Sequence, residues 1–278
     1  MTPPSPRTGA SSRGRFIRLV MPVAGLVLLF GGCGPASGAS AASAPTLTAF
    51  AAASLGNALG AIGTAYAAAT GTAIVLSTES STALRTQIEQ GARADVFLSA
   101  DTTNPAALLA AGLADGPAVP FAGNRLAIVV PAENPARVFA PADLARPGVK
   151  IIAAGALVPI SSYAETLIER LAALPGSPAD FVALYAANVV SREDNVRAVL
   201  AKVGLGEGDA GIVYASDASG STTVLTIDIP PEANVTATYA GVVPTTATDP
   251  SAGHAFLAWL AGPAGQSVLA AFGFTPAP

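Results

Sequence analysis

The chain has 278 residues, of which 51% are hydrophobic and only 12% charged. Four of its 14 basic residues, Arg7, Arg13, Arg15 and Arg18, precede Cys33, whereas all 18 acidic residues follow it. A body this acidic has no field to gather nucleic acid, so any anion it binds must be held by local dipoles. One Cys excludes an internal disulfide, and one His with one Cys excludes a Cys/His zinc or copper cluster.

The basic stretch Arg7 to Arg18 is followed by a 12-residue apolar run, Leu19 to Phe30. These are an n-region and an h-region of signal-peptide length, too short for a transmembrane helix. The run ends Phe30-Gly31-Gly32-Cys33. Small residues before a Cys resemble the lipobox of bacterial lipoproteins, in which the Cys is acylated and becomes the mature N-terminus. Phe30 stands where Leu is usual, with Leu29 one step away. Residues 1–33 are thus expected to be a lipoprotein signal peptide. The protein is then exported to the periplasmic or extracellular face of the cell membrane and anchored there through Cys33. Residues 34–45, with Pro35 to Pro45 reading PASGASAASAP, are too small and polar to bury a core and are expected to form a flexible tether. Beyond Cys33 no apolar run is long enough to span a bilayer.

From Thr46 strand and helix patterns alternate. Leu47 to Ala51 is a short apolar strand. Leu55, Leu59, Ile62 and Tyr66 then recur at helical spacing. Thr72 to Leu76 is a strand, and Leu84 and Ile88 mark a short helix stopping at Gly91. Asp95 to Ser99, Leu126 to Val130 and Ile151 to Ala153 are strands. Tyr163, Leu167, Leu171 and Leu174 form a helical stripe ending at Pro175, and Val196, Val199, Leu200 and Val203 form another ending at Gly204. Gly211 to Tyr214 and Val224 to Ile229 are strands. Ser251 to Phe272 is helical in two pieces separated by Pro263. This alternation predicts an α/β fold with largely parallel sheets, which bind ligands where strands end and helices begin.

Four helix starts carry useful chemistry. Ser54 follows Ala51-Ala52-Ala53 as an N-cap. Ser80 and Ser81 follow Glu79. Ile160, Ser161 and Ser162 follow Val158-Pro159. Asn195 and Val196 follow Ser191 to Asp194. Each start exposes unpaired N–H groups and a partial positive charge, and several aimed at one point make an anion site without a charged side chain. For each hydroxyl taken alone, plain helix capping explains its presence.

The segments FAAASLGNA (Phe50 to Ala58), Ser80-Ser81 with QIEQG (Gln87 to Gly91), ADVFLSAD (Ala94 to Asp101), GNRL (Gly123 to Leu126), Val158-Pro159 with Tyr163-Ala164, and GIVY (Gly211 to Tyr214) with Ser216-Asp217-Ala218 occur in that order. Together with Leu260 to Pro263 and Phe272 to Thr275 they make residues 47–275 resemble the periplasmic molybdate-binding proteins of ABC transporters. The resemblance implies a two-lobed periplasmic-binding-protein fold of type II, each lobe a mostly parallel sheet flanked by helices, with the ligand cleft between. Lobe 1 is then 46–124 plus 240–278, and lobe 2 is 125–239. It also implies a ligand set of Ser54 and Ser81 from the first lobe, and of the Ile160 and Val196 N–H groups and the Tyr214 hydroxyl from the second. Ser80 and Ser161 are further candidates. Every one of these groups is a neutral donor, with no direct metal ligand, no cofactor and no catalytic residue. The implied partners are molybdate or tungstate and an ABC permease, and the protein is expected to act as a monomer.

Such a donor set suits a dianion that carries no proton at neutral pH, whereas the proton of hydrogen phosphate would face N–H groups. Ile160-Ser161 replaces the family's usual Ala-Gly, and Glu79 sits beside the second donor pair. A carboxylate aimed at a dianion is costly, so Glu79 is expected to point away. Sulfate or another tetrahedral oxyanion is the alternative ligand. A serine hydrolase is the remote alternative, because no G-x-S-x-G elbow accompanies His254, the only His. Gly204, Gly206 and Gly208 follow a helix and precede a strand, the reverse of a nucleotide loop, and are read as a turn. Arg85 and Glu89 form an i, i+4 surface pair. Arg197, one residue past Val196, either supports its helix or approaches the cleft.

Overall fold

The computed structural model describes residues 45–278. The expected signal peptide, the expected lipid attachment at Cys33 and nearly all of the expected tether lie outside the described residues. Strand β1 (Thr46–Ala52) runs through a 3-10 turn (Ala53–Leu55) into helix α1 (Gly56–Thr70). Strand β2 (Ala73–Glu79) leads to α2 (Ser81–Glu89), and β3 (Val96–Ser99) to α3 (Thr103–Ala110). The long β4 (Ala114–Pro131) is followed by β5 (Ile151–Ala154), α4 (Pro159–Ala172), α5 (Phe181–Asn188), β6 (Val189–Glu193) and α6 (Val196–Gly204). Then come β7 (Ala210–Tyr214), α7 (Ala215–Ala218), β8 (Val224–Ile227), β9 (Thr236–Pro244), α8 (Pro250–Ala261) and α9 (Pro263–Ala270).

The strands form one path in the order β2-β1-β3-β9-β4-β7-β5-β6, with β8 on β4. At either end three strands pair in parallel, β2-β1-β3 and β7-β5-β6. The central joins through β9 and β4 are antiparallel. The fold is therefore mixed α/β, its parallel parts standing where βα units alternate. β4 pairs with β9 as far as Arg125 and with β7 from Leu126 onward, so a single strand serves both halves.

The helical stripe Leu55, Leu59, Ile62 and Tyr66 is buried as its spacing predicts. The Tyr66 ring meets Phe256 and Trp259 of α8 edge-on at 4.9 and 5.2 Å, contacts worth roughly 0.5–1.5 kcal/mol each beyond their area. Small residues bring the layers close: a Cβ on Gly253 of α8 would sit 2.6 Å from the Asp95 carbonyl oxygen. The buried Asp95 carboxylate accepts the N–H of Thr48 and that of Thr248, both at 2.8 Å, tying β1 to the segment before α8.

Several elements depart from the sequence reading. The predicted strand Leu126 to Val130 is only the end of β4, whose first part carries Pro117 and Pro120. Register shifts between Asp115 and Val119 and between Pro120 and Ala122 absorb these residues, since Pro cannot donate to a ladder. Helices α3 and α5 and strands β6 and β9 were not anticipated. The turn after α6 is as expected, with Gly206 at a φ of 75°. Among the described residues no helix is long and apolar enough to cross a membrane.

Candidate functional site

The C-terminal ends of β1, β2 and β7 and the starts of α2, α4 and α6 converge on a small pocket. Ser54, Ser81, Ile160, Val196 and Tyr214 all line it, and so does Ser80. Among the described residues none that lines it is charged.

The hydrogen bonds already made here fix what each group has left to offer. Ser81 Oγ accepts the N–H of Ala100 at 3.0 Å, and Ser54 Oγ accepts the Tyr239 hydroxyl at 2.8 Å. With an oxygen lone pair engaged in each case, both serine protons are left to donate. Tyr239 Oη in turn accepts from Asn124 Nδ2 at 3.3 Å, so a buried chain of bonds runs from Asn124 through Tyr239 to Ser54, while Asn124 Nδ2 also donates to Ser216 Oγ at 2.8 Å. Tyr214 Oη is buried and has no hydrogen-bond partner. Burial, with Tyr239 second, pushes the Tyr214 phenol well above its ordinary range, so it remains an O–H donor.

Three helix starts complete the donor set. Ser80 is the N-cap of α2, its Oγ accepting Ala83 N–H at 3.3 Å; like Ser81 it lines the pocket and keeps its hydroxyl proton to donate. Pro159 occupies the first turn of α4, so Ile160 supplies the first N–H there. Asn195 caps α6 through Ala198 N–H at 3.0 Å, leaving Val196 N–H at the helix tip.

Some expectations need correction. Ser54 is not a helix N-cap: it lies inside the 3-10 turn, and Leu55 precedes α1 without a side-chain cap. Ser161 does not line the pocket. Its Oγ donates to the carbonyl oxygens of Gly155 at 2.7 Å and Ala154 at 3.3 Å, the nearest acceptors beneath the first turn of α4. Glu79 does not line the pocket either, as expected; its carboxylate turns to the N–H of Ser80 and to Asn195 Nδ2, both at 2.9 Å. Arg197 supports the structure from outside the pocket. It donates to Asn57 Oδ1 at 2.9 Å and lies 3.7 Å from the buried Asp217 carboxylate. Burial pushes that carboxyl up to about 7, against the pull of Arg197.

His254 pairs at 3.0 Å with Asp115, both substantially exposed. Arg85 and Glu89 form the expected pair at 3.5 Å. The described residues hold no group of three or more His, Cys, Asp or Glu that could bind a metal ion. A larger cavity of about 260 Å³ behind α4 is lined by Ala and aliphatic side chains together with Glu165, Glu169, Tyr185 and Arg192, and its two carboxylates do not suit an anion. It lacks the donor cluster, so the smaller pocket is the chemically organised one. Sequence reasoning missed Tyr239 and Asn124 as supports of Ser54; their contacts span 185 and 115 positions, and although Asn124 stands in the GNRL segment, nothing local gives it that role or marks Tyr239.

Residues 47–275 match the family model described as bacterial extracellular solute-binding protein. The chain is 38% identical over 261 residues to the molybdate-binding protein ModA of Mycobacterium tuberculosis, covering 91% of this chain and 94% of that one. It is 30% identical over 237 residues to ModA of Escherichia coli, covering 82% and 88%. Among solved structures it is similar to the periplasmic molybdate-binding protein of Azotobacter vinelandii, with a TM-score of 0.68, 22% identity and coverage of 82% and 98%. It is likewise similar in fold to the sulfate-binding protein SubI of M. tuberculosis, with a TM-score of 0.74, 24% identity and coverage of 84% and 87%. The chain therefore belongs to the bacterial extracellular solute-binding proteins, as a relative of the ModA proteins.

Proposed function

We propose that this protein captures molybdate, and tungstate with it, outside the cytoplasm and delivers the oxyanion to an ABC importer, while a lipid on Cys33 keeps it at the membrane. The observation that carries the reading is the pocket's donor-only chemistry. The Ser54 and Ser81 oxygens already accept, Tyr214 Oη has no partner, and helix starts supply further N–H groups. Five neutral donors, Ser54, Ser81, Ile160, Val196 and Tyr214, then hold an unprotonated tetrahedral dianion without a counter-charge. Two curated relatives, at 38% and 30% identity, carry the name molybdate-binding protein. The lobes divide as 46–124 plus 240–278 and 125–239, a reading supported by the change of partner along β4 between Arg125 and Leu126.

A pocket sized for molybdate makes longer hydrogen bonds to the smaller sulfate, and its lack of acceptors disfavours hydrogen phosphate. Isothermal titration of residues 34–278 with molybdate, tungstate, sulfate and phosphate tests this. One-to-one binding of the first two, at least tenfold tighter than the others, is expected. Preference for sulfate would make this a sulfate-binding protein, and no heat with any of the four would overturn the oxyanion reading.

A further inference from the structure

Glu79 stands at the end of β2, immediately before the Ser80-Ser81 pair. One oxygen of its carboxylate does two things. It accepts the N–H of Ser80 at 2.9 Å, and it accepts Nδ2 of Asn195, 116 positions away, also at 2.9 Å. The same Asn195 amide uses its oxygen to accept Ala198 N–H at 3.0 Å, which caps α6. One carboxylate therefore ties together two of the helix starts that border the pocket, α2 with Ser81 and α6 with Val196. On the same rim Thr82 Oγ1 donates to the Leu157 carbonyl oxygen at 2.6 Å.

The position of this tie matters as much as its chemistry. Outside it lies an open groove lined by Glu79, Thr82, Gln87, Leu157 and Asp194, and this groove shares Ser80 and Val158 with the pocket. The Glu79–Asn195 bond thus spans the boundary between pocket and groove. A charge-assisted bond at a half-buried site is short and directional, and it fixes the amide that in turn sets the tip of α6. An acidic residue beside an anion site costs Coulomb energy, which is offset here by the two helix N-termini that face it.

We propose that Glu79 is a positioning residue: through Asn195 it fastens α6 to α2 across the rim, aims Val196 N–H inward, and slows escape of the bound oxyanion. The inference rests on the pocket being the oxyanion site. Titration with molybdate and stopped-flow release from the wild type and four variants test it. Glu79→Gln keeps the acceptor oxygen and is expected to bind like the wild type. Glu79→Ala removes it and is expected to bind at least tenfold more weakly, with the change mainly in the release rate. Asn195→Asp still caps Ala198 but sets two carboxylates against each other, and a similar loss is expected. In the double variant Glu79→Gln/Asn195→Asp the new amide nitrogen faces the new carboxylate while the amide oxygen must turn to Ser80 N–H, and affinity above that of Asn195→Asp alone is expected.

If Glu79 acted only as an unfavourable charge, Glu79→Ala would bind as tightly as the wild type or tighter, and that result overturns the proposal. So does a double variant no better than Asn195→Asp alone. A wild type that takes up no molybdate refutes the ligand reading instead. The tie is then read without ligand by hydrogen exchange at Ala198 N–H, expected to be faster in Glu79→Ala and unchanged in Glu79→Gln. Equal exchange in both variants overturns it.

Discussion

Ser54 and Ser81 are ordinary residues made specific by what their oxygens already accept. Replacing either by Ala removes a hydroxyl facing the proposed dianion, and a loss of roughly 1–3 kcal/mol in molybdate affinity is expected for each by titration. Full affinity in both variants would remove them from the site. Tyr214 behaves differently because its buried hydroxyl has no partner. Tyr214→Phe is expected to weaken binding by a similar amount while raising ligand-free stability by up to ~1–3 kcal/mol, since an unpaired buried group no longer needs desolvating. Denaturant unfolding without ligand checks the second half, and a destabilised variant would mean that the hydroxyl is paired in solution. At this scale the serines and the tyrosine were legible because each stands in a recognisable segment. Ser80 and Ser81 were not separable, because which one caps depends on the geometry where α2 begins. Ser161 looked like a donor but gives its proton to carbonyls that only the folded chain brings beneath it.

Among the elements, α7 shows how burial and charge compete. At the start of α7 Asp217 accepts Tyr214 N–H at 3.3 Å, and its side chain is fully buried. Its carboxyl titrates near 7 in the fold against an ordinary value of 3.8. Between those two values the folded protein keeps a proton that the unfolded chain has released, so stability falls as pH rises through that window and levels above it. Asp217→Asn is expected to flatten this dependence, read as the difference in melting temperature between variant and wild type from pH 4 to pH 8. A constant difference would mean that Asp217 is ionised throughout. The legible elements were those with clean periodicity or unbroken apolar runs, such as α1, α6 and β7. Helix α5 is Phe-Val-Ala-Leu-Tyr-Ala-Ala-Asn, apolar nearly all round, so no face announces itself. Strand β9 carries Gly241 in its middle, and that residue leaves room for Leu257 of α8, a tertiary demand invisible to local pattern.

For the whole molecule, β/α alternation was enough to indicate the class of fold, but not the antiparallel centre, which depends on long-range pairing of β4 with β9. The proposed attachment also belongs to this scale. Cys33→Ser is expected to move the protein from the membrane fraction to the soluble fraction, checked by immunoblot after fractionation. Retention on the membrane would exclude a lipid at that residue.

The place of β9 between β3 and β4 also sets a timetable. The edge formed by β3 is complete once the chain has passed Ser99, yet its neighbour does not begin until Thr236. During synthesis the N-terminal sheet must wait, open on that side, until nearly all of the polypeptide has emerged. Pairings this distant in sequence are slow to form because a long loop must close first. Any nascent or truncated chain that stops short of Thr236 therefore carries β3 as a bare edge, and the C-terminal segment that begins there is what closes it.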